Sequence, residues 1–370
     1  MKHLWADIMK DYTVTIINSL DEFKSLAGQW NELLARSYAN NIFLTWEWQF
    51  SWAECFLKDG KHLFVLAVYR NDTIVGIAPF YLRPCRISGL PIKQIGFLGT
   101  PEGDCDYLDV IISKGEESAV SKTLYDFLFS EASRLWDCLK FTDIRSNSLF
   151  LLHLMNCVEA QGKYLEITKG SFCPYVSLPS TREQFYKTLS SNRREQFRRH
   201  LKLLMESGNV RHLSVSPADS PQLMDEFFTF YEKEKGVVNT PLKGLLEHLI
   251  LNSGNQNRIQ LDLLISDKKI IAGFLHLCHE NTMYMYLMAV NKTSHPKISI
   301  GNVLVGLSIE KAIDRGFCLY DFLKGEEAYK FHWANGFNTS QLIFLAQRKA
   351  VPLLLALGRF AKHSAKLLLR

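Results

Sequence analysis

Apolar positions recur at intervals of two or of three to four along most of this chain, and the period assigns the elements. Residues 13–18 read as a strand and 20–36 as a helix. TWEWQFSWAECF (45–56) reads as an aromatic-rich helix opened by Thr45 as its N-cap, with its tryptophans in the core. LFVLAVYR, the turn Asn71-Asp72 and TIVGIAPFYLR predict a β-hairpin, with further strands near 92–98 and 106–112. A helix over 116–134 and the apolar strand WDCLKFTDI (136–144) close this series.

The second half repeats the order. RIQLDLLIS (258–266), a turn at Asp267-Lys268, KIIAGFLHLCH (269–279), TMYMYLMAV (282–290), a helix over 300–315 and FCLYDFLKG (317–325) follow one another. IVGIA matches IIAGF in place, and DCLKFTD matches FCLYDF, the pattern of a duplication. The reading is an α/β (α+β) chain of two related domains, 1–178 and 211–347. Between them, 179–210 carries a helix over 181–190 and a basic one, SNRREQFRRHLKLLMESG (191–208), closed by Gly208. This charge run is either a solvated linker or a phosphate-binding edge, with Arg193, Arg194, Arg198 and Arg199 spaced so that at least two share a face. Residues 348–370 have the spacing of a basic amphipathic helix, which either caps the second domain or contacts a membrane surface through 351–370.

Composition narrows the classes. With 47% hydrophobic and 22% charged residues over 370 positions, the chain buries ordinary cores, and a net charge of +5 suggests a partner carrying phosphates or a membrane surface without demanding either. No DNA partner is expected. Eight cysteines stand singly, without metal-ligand spacing, as expected for free thiols in a reducing compartment. Asp7 and Asp11 interrupt any signal-peptide core, and no run reaches the roughly 20 apolar residues of a span, so a cytoplasmic protein is expected.

Common catalytic templates are missing: H-E-x-x-H, G-x-S-x-G, a P-loop and G-x-G-x-x-G do not occur. His276 and His279, three apart in a strand, face opposite ways and read as ordinary sheet histidines rather than metal ligands. What stands out is the polar segment after the strand at 317–325: Asp321, Lys324, Glu326, Glu327, Tyr329, Lys330 and His332, punctuated by Gly325. In α/β architectures ligands gather beyond strand carboxyl ends, which makes this segment the candidate active site. Structurally, Asp321 would cap a helix starting near Gly325. A second cluster in GTPEGDCDYLDVII sets Asp104, Asp106 and Asp109 around Tyr107, and Asp109, within a buried-looking strand, needs a partner.

Four pieces in shared order carry a resemblance: FLTWEWQFSW (43–52), VGIAPFYLR with GFLGTPEGDCDYLDVII, LSSNRREQFRRHLKLL (189–204) and DFLKGEEAYKFHW (321–333). They resemble the GNAT-superfamily acetyltransferases of the CelD-like (cellulose-biosynthesis-protein-like) family, whose architecture is similar to the Fem aminoacyl transferases. The resemblance implies two tandem GNAT-like domains, each a mixed, mainly antiparallel sheet flanked by helices. It implies N-acyl transfer from acetyl-CoA or another acyl-CoA, without a metal, to an amine acceptor such as an amino sugar in envelope or exopolysaccharide assembly. Ser299, Gly301 and Asn302 would hold the donor, although only Gly301 remains of the superfamily's usual glycine-rich loop. Asp321 or Glu326 would serve as base and Tyr329 as acid. Lys324, Lys330 and His332 would bind substrate, the two lysines holding a phosphate or carboxylate, and Asp106, Tyr107 and Asp109 would form the facing wall of the acceptor site. Arg193 and Arg194 would suit a polyanion. The Fem likeness keeps an aminoacyl-tRNA donor acting on a cell-wall precursor open, and a catalytically idle subunit of a polysaccharide-synthesis complex is the third alternative.

Overall fold

The computed structural model describes residues 11–347 apart from 88, 162, 218, 238, 239 and 255; the basic stretch at 348–370 lies outside them. Two units result, one holding residues up to Gly170 and from Thr339 onward, the other Ser171–Asn338. These limits differ from the expected 178/179 and 347/348. The basic helix expected as a linker belongs to the second unit, where its Phe197 and Leu204 are buried.

The first unit runs β1 (Tyr12–Ile17), α1 (Leu20–Ser25), α2 (Ala27–Ala35), α3 (Trp46–Phe56), β2 (His62–Leu63), β3 (Val65–Arg70), β4 (Thr73–Ala78), β5 (Phe80–Ile87), β6 (Leu90–Phe97), β7 (Ile111–Ile112), α4 (Glu117–Phe129), β8 (Cys138–Arg145) and α5 (Leu149–Ala160). Strands β1, β3, β4 and β7 make an antiparallel sheet in that order. β2, β5 and β6 pair antiparallel, and β8 joins β6 in parallel. The run TIVGIAPFYLR thus serves two sheets. Pro79 divides it, because proline offers no N–H for a continuous ladder.

Three other expectations are corrected. The helix over 20–36 is two helices meeting at Leu26, whose N–H bonds back three residues to Phe23 O. The strand over 106–112 begins only at Ile111; Asp104 and Tyr107 have φ of 47° and 58°, left-handed values that turn the chain before it. Leu323 (φ 56°) and Gly325 (φ 133°) likewise end the strand expected over 317–325 at Asp321. The tryptophans of α3 are core: Trp48 and Trp52 are fully buried, and the Trp52 indole N–H donates to Glu102 O at 2.7 Å.

β9 (Tyr164–Ser177) leads into the second unit, followed by α6 (Arg182–Thr188), α7 (Ser191–Glu206), β10 (Val210–Val215), α8 (Pro221–Lys235), α9 (Thr240–Ser253), β11 (Ile259–Ser266), β12 (Lys269–His279), β13 (Thr282–Val290), α10 (Ile300–Asp314), β14 (Leu319–Asp321) and α11 (Ala328–Trp333). Its sheet order is β10-β11-β12-β13-β14-β9, antiparallel throughout except that β13 and β14 run parallel. β15 (Gly336–Ala346) returns to the first unit, where Ser340–Ala346 pairs with β8. Among the described residues no helix is long and apolar enough to cross a membrane.

The core of the second unit lies between the sheet and helices α7 and α10, around Leu264, Phe274, Met283, Val303 and Tyr320. Gly306 sets how closely the two helices approach. A Cβ there would stand 2.2 Å from Phe197 Cε2, so the glycine is a groove that holds the ring. Gly306→Ala, which favours an exposed helix by up to ~1 kcal/mol, is therefore expected to destabilise by about 1–3 kcal/mol in denaturant melts. Adding Phe197→Leu should recover part of that loss, and a strictly additive double mutant would disprove the packing account.

Candidate active site

β13 and β14 are paired only over Thr282–Tyr284 and Leu319–Asp321. β14 then ends while β13 continues to Val290, so the two strands part, and beyond Tyr284 the edge of β13 turned away from β12 has no strand beside it among the described residues. The register of β13 against β12 shifts at this place, leaving Tyr286 as the extra residue of a bulge, which bends the strand and re-aims its groups. Beyond the parting lies a cavity of about 330 Å³. Phe274, Met288, Val290 and Val305 make its apolar wall; Lys292, Ser299, Gly301, Asn302 and Tyr329 bring polar groups.

One end of that cavity is the start of α10. The first helical bond is Val303 N–H to Ser299 O at 3.0 Å, which leaves the N–H groups of Gly301 and Asn302 without acceptors among the described residues. Free donors and the positive end of the helix dipole make this an anion-receiving point. Ser299 N–H is already taken, donating to His200 Nδ1 at 2.8 Å. The Asn302 side chain is held by Trp333 Nε1 at 3.3 Å and by Ser299 Oγ at 2.9 Å, so its backbone faces the ligand space while its amide is structural. A Cβ on Gly301 would sit 3.4 Å from Val290 Cγ2, so any longer side chain enters the cavity. On the other side of the helix start, a smaller cavity of about 60 Å³ is lined by Arg193, His200, Ser299, Asn302 and His332.

The expected donor residues Ser299, Gly301 and Asn302 are thus together, joined by Tyr329 in the larger cavity and by Arg193 and His332 in the smaller. Tyr329 is half-buried, its hydroxyl 2.9 Å from Met288 Sδ, and burial pushes its pKa up, so it remains protonated at neutral pH.

The other members of the polar segment are not gathered there. Asp321 is buried, with Oδ1 accepting from Leu323 N–H at 2.8 Å: it shapes the turn after β14 and caps no helix, since α11 starts at Ala328. Glu326 is exposed and, like Lys324 and Arg194, lines neither cavity. Lys330 was expected to grip a substrate anion. Instead its ammonium is buried, donating to Lys324 O at 2.6 Å and Leu323 O at 3.4 Å and pairing with Glu327 at 3.2 Å. Asp106, Tyr107 and Asp109 are buried residues of the first unit.

Sequence reasoning missed His200, Lys292 and Phe274, which carry no motif and reach the site by folding alone. It also passed over a buried polar line. His212 Nε2 lies 3.7 Å from Asp262 Oδ1, Asp262 Oδ2 3.5 Å from His276 Nδ1, and His276 Nε2 2.8 Å from the Tyr320 hydroxyl. Burial lowers the His276 pKa to about 4 against the opposing pull of Asp262, so the ring is neutral. An aspartate in the middle of the apolar run IQLDLLIS was the available signal.

Residues 191–331 match the family model described as an acetyltransferase (GNAT) domain. This stretch is thus similar to GNAT acetyltransferase domains. No curated protein sequence matches the chain. Among solved structures, FemX is similar at a TM-score of 0.61 and 9% identity, covering 92% of this chain and 99% of that one. The C-terminal domain of a putative lysylphosphatidylglycerol synthetase from Agrobacterium fabrum follows at 0.53 and 13%, covering 92% and 95%. A tandem GNAT protein from the clavulanic acid biosynthesis pathway gives 0.52 and 10%, covering 91% and 99%. The chain therefore has the tandem GNAT fold, and the parted strands and the following helix lie within the matched stretch.

Lys330 gives a test of the site's scaffold. Lys330→Met removes the cation that satisfies two loop carbonyls, and a loss of about 1–3 kcal/mol in stability is expected. A melt unchanged from the parent would show those carbonyls to be satisfied otherwise.

Proposed function

We propose that the GNAT domain is an N-acyltransferase, taking an acyl group from an acyl-CoA and passing it to an amine acceptor. The observation that carries this is the cavity at the parting of β13 and β14, with an apolar wall of Phe274, Met288, Val290 and Val305 and, at one end, the free N–H groups of Gly301 and Asn302. An acyl thioester on a phosphate-bearing arm has that same division of character. Its phosphates suit the helix start, with Lys292 and Arg193 nearby in charge, and its acyl chain suits Phe274, Met288 and Val305. The edge of β13 beyond its pairing with β14 would offer backbone groups both to the amides of such an arm and to the oxygen that becomes negative as the amine attacks.

In that reaction the amine nitrogen bonds to the thioester carbon, the carbon–sulfur bond breaks, and the thiolate leaves. Tyr329, kept protonated by burial, supplies a proton to the sulfur, and the amine's proton passes to solvent. The carboxylates of Asp321 and Glu326 are not assigned as base, because one is engaged in the turn and the other lies outside both cavities. The acceptor we favour is an amino sugar or related amine of envelope or exopolysaccharide assembly at the cytoplasmic side, a choice that rests on the family resemblance of the sequence.

Acetyl-CoA and longer acyl-CoA species are expected to raise the melting temperature saturably. Gly301→Trp, which fills the cavity, should abolish that shift. Tyr329→Phe should keep the shift and lower the turnover about 100-fold. Native mass spectrometry of freshly purified protein is expected to show a bound CoA species. Shifts that survive Gly301→Trp would sink the donor assignment.

A second reading has its own observation. α7 exposes Arg193, Arg198, Arg199 and Lys202 on the helix that contributes to the smaller cavity, a surface that suits a nucleic-acid backbone. Under it the donor is an aminoacyl-tRNA. tRNA binding should then weaken steeply with added salt, and Arg193 and Arg199 replacements should flatten the slope by about one contact each. Absence of salt-sensitive binding removes this reading.

A further inference from the structure

The first unit parts its strands in the same way. Leu108 bridges Ile144 in parallel, β8 ends one residue later at Arg145, and the chain from Leu108 runs on into β7, which pairs with β4. A cavity of about 280 Å³ opens at the parting, lined by Asp109, Arg145, Ser148, Glu117, Ser37 and Tyr38 among others. At ~30 Å³ per water it has room for on the order of nine waters, or a ligand of about as many heavy atoms.

Its chemistry is the reverse of the cavity beside α10. The helix that follows, α4, begins with Glu116 at its N-cap and Glu117 in its first turn, so carboxylates already occupy the positive end of the dipole. Glu116 is engaged by Arg70 at 2.7 Å and by the Tyr12 hydroxyl at 2.5 Å. A phosphate-bearing donor is therefore unwelcome. Asp109 faces the cavity with half its hydrogen-bonding capacity used: Oδ1 accepts from Ser148 Oγ and Val110 N–H, both at 2.8 Å, while Oδ2 has no donor among the described residues. Glu117 Oε2 accepts from Gly115 N–H at 2.9 Å, and its Oε1 is buried without a partner. Opposite in charge, the Arg145 guanidinium lies 4.6 Å over the Tyr107 ring with Nε buried and unpartnered. Polar atoms so placed are costly unless something completes them.

We propose that this cavity is a separate binding site for a small zwitterion, with Asp109 and Glu117 receiving its ammonium and Arg145 its carboxylate, as in a free α-amino acid. The inference does not depend on the acyl-transfer reading. Two carboxylates alone would suit a metal ion, but Arg145, lining the same cavity, repels one; Arg145 alone would suit an anion, which the carboxylates repel. A molecule carrying both charges within a few bonds satisfies all three groups.

The pH dependence follows from Asp109. Burial raises its pKa to about 7 in the empty site, against the opposing effects of Ser148, Val110 N–H and Arg145, while Glu117 from α4 and Tyr38 are the other titratable groups lining the cavity. The raised value means the ionised form grows as pH rises through 7. An ammonium needs that form, so affinity should increase about tenfold from pH 6 to pH 8.

The test is calorimetric titration of the full chain with the twenty free amino acids, and with the N-acetyl and methyl-ester derivatives of any that bind. At least one amino acid is expected to bind saturably, and both of its derivatives, each lacking one charge, to bind at least ~tenfold more weakly. Arg145→Gln and Asp109→Asn should each weaken binding by at least ~tenfold, whereas Gly301→Trp should leave it unchanged. Should Asp109→Asn fail to fold, the half-exposed Arg145→Gln carries the test. The proposal is overturned if no amino acid binds, if the derivatives bind as well as the parent, or if Gly301→Trp rather than Arg145→Gln removes the binding. Failure of the parent chain to bind any acyl-CoA while amino-acid binding is intact would count against the donor reading alone.

Discussion

Everything proposed for this chain follows from parallel strands that are hydrogen-bonded briefly and then let go. In the second unit three residue pairs join β13 to β14, and the bulge at Tyr286 bends β13 just past them. A sheet that stayed closed would spend its backbone groups on itself. Parted, it presents an unpaired edge, a space between layers, and the start of the helix that must carry the chain across that space. The crossover helix is unavoidable, because parallel neighbours cannot be joined by a tight turn. Its N-terminus therefore arrives at the opening by topology, bringing the Gly301 and Asn302 N–H groups.

What fills the opening is decided by side chains, and the two units show how far that choice ranges. Around α10 the walls are apolar, and the helix start is left free apart from the contact of His200 with Ser299. Around α4 glutamates crowd the helix start, and Asp109 and Arg145 line the space. One backbone device thus supports an anion-receiving cavity in one unit and a cavity of mixed charge in the other. Fold resemblance at 9–13% identity conveys the device and is silent on its contents.

The order of elements was legible because each strand and helix carries its own period. Both hairpins, the helix at 300–315 and the capped α3 follow from local patterning and from Thr45. The breaks were less so. Tyr107 and Leu323 sit at left-handed φ that neither residue type announces, and Pro79 marks a change of sheet that the alternating pattern runs straight through. For the site, Ser299, Gly301 and Asn302 were placed by the family resemblance and do line the cavity, whereas the carboxylates after β14 stood out by density alone. Density says nothing of direction: Asp321 turns to its own loop and Lys330 back to the carbonyls of Leu323 and Lys324.

By itself, then, the sequence determined the succession of most elements and the helix whose start holds the proposed donor point, since these depend on periods and caps within a few residues. Only the tertiary structure decided which polar groups are spent within the protein and which are left over for a ligand. Lys330 and Asp109 show the difference. Each is a buried charged residue type in a polar cluster, but one is satisfied by backbone atoms six and seven residues away, and the other keeps an oxygen turned toward a cavity that residues as distant as Ser37 and Ser148 enclose. Such completion is set by contacts across the fold, and no local pattern encodes it.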